Sequence, residues 1–166
     1  MSISLDGFWT AMGKFSAIFT DSKSGFLRFA PSLVRYVLRR RDEFPLNLPD
    51  REMLSMLIID KKEIKDENLK KIAEFLENEI GYIVDIETAG MLFPEIYIKK
   101  IDEDDSFPIL RSHSGARELS PLIICLKYVL TKDTQFVAME EPETHLHPYM
   151  QSIVTRALAM LSKYTN

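Results

Sequence analysis

The spacing of apolar residues changes along the chain and predicts its elements in turn. Pro31 to Asp42 carries Leu33, Val34, Val37 and Leu38 as a helical stripe, with Pro31 suited to the first turn. Phe44 to Pro49 breaks that helix with two prolines, and Asp50 can cap a second one reaching Ile59. The clearest helical pattern lies between Asp66, a capping residue, and Gly81, a natural stop. Leu69, Ile72, Ala73, Leu76 and Ile80 form its apolar stripe, and Lys70, Lys71, Glu74 and Glu77 its solvated face. The period then drops to two over Tyr82–Glu87 and Glu95–Ile101, which predicts a hairpin through Ala89-Gly90. A third short strand is expected from Phe107 to Leu110. Helical spacing returns from Gly115 to Leu130, with Leu119, Leu122, Ile123, Leu126 and Leu130 inward. Pro121 is tolerable there only near the first turn. Phe136 to Met139 then reads as a short buried strand of a parallel sheet. Pro148 starts a last helix, apolar at Met150, Ile153, Val154, Ala157, Leu158 and Leu161, that ends near Lys163. Residues 1 to 30 show no clear pattern, and Asp21–Gly25 reads as a turn.

The chemistry concentrates where the last strand ends. Phe136–Met139 runs straight into Glu140 and Glu141, and ionised Glu is rarely buried unless it is paired or bound. Acids at the carboxyl end of a parallel strand stand where open α/β sheets place ligands. The plainer alternative is a strand that surfaces with two solvated carboxylates.

Composition narrows the picture. A chain of 166 residues, 46% hydrophobic and 28% charged, is one globular domain with room for a core. Its net charge of -4 offers no general attraction to nucleic acid. Arg35, Arg39, Arg40 and Arg41 are read first as a solvated helix end, with contact to DNA or an acidic partner as the alternative. The lone Cys125 makes no internal disulfide and, between Ile124 and Leu126, reads as a buried structural thiol. No apolar run reaches the roughly 18 residues of a membrane span. Met1–Asp6 lacks a secretion signal, so a cytoplasmic protein is expected. Asp102–Asp105 lacks calcium-loop spacing and reads as a solvated turn. His145 and His147 beside Glu143 suggest zinc, but a third ligand at metal spacing is missing, which favours capping or turn roles.

Met139-Glu-Glu-Pro-Glu-Thr-His-Leu-His-Pro148 resembles the Walker B and D-loop segment of ABC-type ATPases. More narrowly, it is similar to the AAA-domain branch that includes SMC-like and overcoming-lysogenization-defect (OLD) ATPases. Upstream, Ser112-His-Ser-Gly-Ala-Arg-Glu-Leu119 resembles the signature sequence of that family. The resemblance implies an α/β fold, a partial ABC-type ATPase domain. A helical and β-hairpin arm or lobe (1–110) precedes a partial core (111–166) of signature helix, Walker B strand and final helix. It implies ATP as substrate and Mg²⁺ as cofactor, with nucleotide sandwiched between two head domains. Glu140 becomes the acid on the Mg²⁺ side and Glu141 the general base. Ser114, Gly115, Ala116 and Arg117 contact the γ-phosphate of nucleotide held by the other subunit. Thr144, His145, Leu146 and His147 match the D-loop. His113 and Arg117 depart from the commoner Leu and Gln of the signature.

Several parts of such an enzyme are not readable here. Gly7-Phe-Trp-Thr-Ala-Met-Gly13-Lys14-Phe15-Ser16 resembles a phosphate-binding loop, yet five residues separate its glycines instead of four. Phe15 also replaces the hydroxyl that would meet Mg²⁺. Gln135 and Gln151 flank the Walker B segment and cannot serve as the Q-loop glutamine, and no switch histidine follows. The expectation is therefore a truncated chain, a disrupted reading frame or half of a split protein, with negligible ATPase activity alone. Its partner would be a second ATPase head or the missing Walker A half, and a homo-oligomer is expected. Two other function classes remain open. One is a non-catalytic interaction module that pairs through an exposed sheet edge. The other is a metal-dependent hydrolase using Glu140, Glu141, His145 and His147.

Overall fold

The computed structural model describes residues 16–19, 64, 66–87, 95–131, 134, 136–139 and 141–164. In chain order these form β1 (Ser16–Phe19), α1 (Glu67–Ile80), β2 (Tyr82–Glu87), β3 (Glu95–Lys100) and β4 (Ser106–Pro108). A 3₁₀ turn (Ile109–Arg111), α2 (Ser114–Tyr128), β5 (Phe136–Met139) and α3 (Pro148–Ser162) follow. The expected helices over 31–42 and 50–59, the arginines of the first, the turn at 21–25 and the hairpin tip at Ala89-Gly90 lie outside the described residues.

Helix α1 starts and stops where local chemistry dictates. Asp66 takes an extended backbone, and its Oδ1 accepts from the amides of Asn68 (2.8 Å) and Leu69 (3.4 Å). Gly81 adopts φ 77° and donates its N–H to the Glu77 carbonyl, the left-handed stop that only glycine takes without strain. The expected stripe is buried. Glu77 is not on the solvated face where the sequence reading puts it, because it is only 5% exposed. Four residues after Ala73 and three before Ile80, it flanks the apolar stripe and faces charged and polar groups of other elements.

Strands β2, β3 and β4 form an antiparallel sheet in that order, with Val84 opposite Ile98 and Ile98 opposite Phe107. Val84, Ile86 and Ile98 point inward, as the period of two requires. The third strand is shorter than the expected 107–110. Pro108 has no amide for the ladder, and the chain turns into 3₁₀ geometry at Ile109.

Helix α2 is central. Every side chain from Glu118 to Tyr128 is buried, more than the single apolar stripe expected, as suits a helix covered on all sides. It starts at Ser114, with His113 rather than Ser114 as the cap. Pro121 therefore sits about two turns inside, not in the first turn. There it cannot donate to the Arg117 carbonyl. Beside it the Ser120 hydroxyl donates to the Ala116 carbonyl. Helix α1 packs against both α2 and α3. One apolar cluster joins Leu69 and Leu76 of α1, Ile123 and Leu126 of α2, and Ile153 and Leu161 of α3.

β1, unpredicted from sequence, pairs with β5 in parallel, with Ser16 opposite Phe136 and Phe19 opposite Met139. The expectation of a parallel sheet at 136–139 is met by a partner more than a hundred residues away.

Candidate functional site

The segment after β5 is built from two overlapping turns. The Thr144 N–H donates to the Glu141 carbonyl (3.0 Å), closing a turn with Pro142 in its second position, where proline's fixed φ fits. The Leu146 N–H donates to the Glu143 carbonyl (3.1 Å), closing the next turn around Thr144 and His145. Glu141 has φ 45° and His145 φ 65°, the only described non-glycine residues in the left-handed region. Each such residue costs about 1–2 kcal/mol of backbone strain, and strain of this kind collects at functional sites. Glu141 is exposed, and the Thr144 hydroxyl donates to its Oε2 at 3.0 Å. That bond steadies the carboxylate. Glu140, the other candidate acid, lies outside the described residues.

Leu146 anchors the segment in the core, whereas His145 and His147 are exposed. His147 caps α3: its Nδ1 accepts from the Tyr149 amide (3.4 Å), and Pro148 fills the first helical position. Gln151 returns from α3 to donate to the carbonyl of Leu146 (3.0 Å). Among the described residues no three His, Cys, Asp or Glu side chains are gathered as a metal cluster.

The first turn of α2 holds the second set of candidates. The His113 Nδ1 accepts from the Ala116 amide at 3.3 Å, and the Arg117 amide bonds to the His113 carbonyl. Ser114 and Gly115 lie ahead of these bonds, so by helix geometry their amides face outward at the positive end of the dipole. Ser114 is exposed, Ala116 is fully buried, and the Nε atom of Arg117 is buried without a hydrogen-bond partner among the described residues. Gly115 is not in the left-handed region, and a Cβ there would meet only the His113 ring, at 3.4 Å. Packing therefore does not demand a glycine. Sequence reasoning missed the role of His113 because histidine is not a characteristic N-cap; an exposed polar residue directly before the helix is the available signal.

The His113 ring lies 5.3 Å from that of Tyr82, which meets Phe107 edge-on at 6.1 Å. At the other end of α2, Lys127 Nζ pairs with Glu77 Oε1 at 2.9 Å and donates to the Val84 carbonyl at 2.7 Å. The Tyr128 hydroxyl donates to Asp85 (2.6 Å), and burial, then this bond, raise its pKa. Tyr149 of α3 donates to Glu79 (2.7 Å), which holds its phenol proton more firmly. Burial likewise pushes the Cys125 thiol upward, as expected of a structural cysteine.

The phosphate-loop look-alike gains no support. Gly7–Phe15 lie outside the described residues, and Ser16 opens a strand where a phosphate loop would open a helix. No helix among the described residues is long and apolar enough to cross a membrane.

A family model described as an AAA ATPase domain matches residues 15–166. No curated protein and no solved structure matches the chain.

Proposed function

This chain belongs to the AAA ATPase domain family, and we propose that it forms part of an ABC-type ATPase of the SMC-like and OLD branch. The family generally uses ATP with Mg²⁺. The observation that carries the finer reading is the exposed, strained Glu141, which lies two residues past the end of a parallel strand and accepts a bond from Thr144.

In this reading residues 136–141 are the Walker B segment. Glu141 is the general base: its carboxylate takes a proton from the attacking water while the Thr144 hydroxyl keeps the side chain in place. Glu140 stands on the Mg²⁺ side. A three-ligand protein cage is not needed, because Mg²⁺ is commonly held by one or two carboxylates together with substrate phosphates. When bound, Mg²⁺ supplies neutralisation of phosphate charge. Ser114 to Arg117 are the signature, where the outward amides of Ser114 and Gly115 and the dipole end suit an anion. Ser114 and Gly115 contact nucleotide held by a second head, whereas Ala116 is buried and its amide is held by His113. Thr144, His145, Leu146 and His147 are the D-loop at that head interface, and residues 1–110 hold the lobe or arm, with β1 among them paired to the Walker B strand. The phosphate loop comes from outside these residues, either from more of the same polypeptide or from another chain. The assembly is cytoplasmic.

The test is to measure ATP hydrolysis by the chain alone and after mixing with a Walker A half. Activity should be negligible alone and restored by the mixture. Glu141→Gln should abolish the restored activity. If that variant, once complemented, turns over as fast as wild type, Glu141 is not the base.

A further inference from the structure

Residues 77–85, the junction of α1 and β2, reach both ends of α2. The Tyr82 ring meets at a tilt that of His113, the residue that caps the first turn. Glu77, Val84 and Asp85 meet Lys127 and Tyr128 in the last turn. α2 has 15 residues, so its first and last turns lie about 20 Å apart along its axis, and long side chains from both ends reach β2 residues only about 10 Å apart.

The far contact has an unusual chemical form. The Val84 N–H donates to Glu77 Oε1 (2.8 Å), and the Val84 carbonyl accepts from Lys127 Nζ (2.7 Å). The Ile86 N–H, two residues on and facing the same way, donates to Asp85 Oδ1 (2.7 Å). β2 is an outer strand of its sheet, and these groups form its free edge. The buried Glu77–Lys127 pair stands in for a neighbouring strand, supplying one acceptor and one donor to the main chain. The sheet is thereby closed to extension at this edge and fastened to α2 through backbone hydrogen bonds.

We propose that the 77–85 junction is a clamp that sets the pose of α2, with Tyr82 the positioning residue for its first turn and Glu77–Lys127 the anchor at its last. A change at one end is felt at the other, because α2 is packed on all sides and moves as a rigid rod between the two grips. The clamp stands on these contacts alone. Its functional meaning, a link from the β2–β4 sheet to a nucleotide-facing helix end, rests on the reading of Ser114 to Arg117 given above.

Amide hydrogen exchange of the full chain, followed by NMR without nucleotide, tests the clamp independently of that reading. Lys127→Met should speed exchange at Val84 and also, at the distant end, at Ala116, by about tenfold more than in an Ile153→Val control on α3. Tyr82→Leu should speed Ala116 exchange and move the His113 ring nitrogen shifts, whereas Tyr82→Phe, which keeps the ring, should leave both unchanged. If Lys127→Met does not fold, Tyr128→Phe, which removes only the bond to Asp85, gives the same readout in milder form. Faster exchange confined to Val84, with Ala116 no more affected than in the control, would overturn the proposal. Intact coupling together with unchanged complemented hydrolysis in Gly115→Ala would instead count against the nucleotide-facing assignment.

Discussion

At Gly115 the backbone is ordinary and alanine fits, so substitution there separates folding from function. Gly115→Ala should hold or raise stability, by up to about 1 kcal/mol, since glycine weakens a helix. It should nonetheless lower complemented ATP hydrolysis, because a methyl would stand where a phosphate approaches the helix end. Unchanged hydrolysis would remove Gly115 from the site. Glu141 and His145 give the converse case. Their left-handed backbones cost energy that glycine does not incur. His145→Gly should therefore raise the urea midpoint, corresponding to up to about 1 kcal/mol, and Glu141→Gly should do so while eliminating the base. The acids and histidines of 140–147 were legible from type and order alone. Their strained backbone was not, because the demand for φ above zero shows in a sequence only when glycine or asparagine meets it.

At the scale of elements, legibility followed the range of the interactions. α1 could be read from cap to stop because Asp66 and Gly81 act on their own neighbours. β2 and β3 followed from the period of two. β1 was missed: four residues give too short a pattern, and its partner β5 lies at the other end of the chain. The start expected near Gly115 is right to within a residue, although Pro121, offered in its support, lies well inside the helix. Glu77 misled, because the groups that make its burial possible come from β2 and from Lys127, fifty residues on. That pair carries its own prediction. Lys127→Met leaves a buried carboxylate without its cation and should destabilise by about 3–5 kcal/mol. The double variant Glu77→Leu/Lys127→Met should recover much of that loss. Chemical denaturation of the two proteins decides it, and equal losses would mean that the pair's charges do not interact in this way.

At the scale of the whole molecule, the described helices share one core, in which α2 is enclosed and Cys125 is cut off from solvent. Burial holds that thiol protonated in the fold, while the unfolded chain releases the proton above about pH 8.5. The raised thiol therefore favours the fold fully below that pH, and the contribution is lost as pH rises. Stability should fall by roughly 1.4 kcal/mol per pH unit from this group. Tyr128, also raised, should add to the decline above about pH 10. Urea midpoints across the alkaline range should show the fall, and Cys125→Ala should flatten its first part. A thiol reagent should label Cys125 only after unfolding.

If the phosphate loop of this acid-bearing ATPase segment lies elsewhere, as proposed, calorimetry of Mg-ATP binding shows it most directly. The chain alone should show no saturable binding. Adding a Walker A half should create a site, and Glu140→Ala in this chain should weaken it. Tight binding by the isolated chain, lost in Glu140→Ala, would contradict the account by placing a complete phosphate site within these residues.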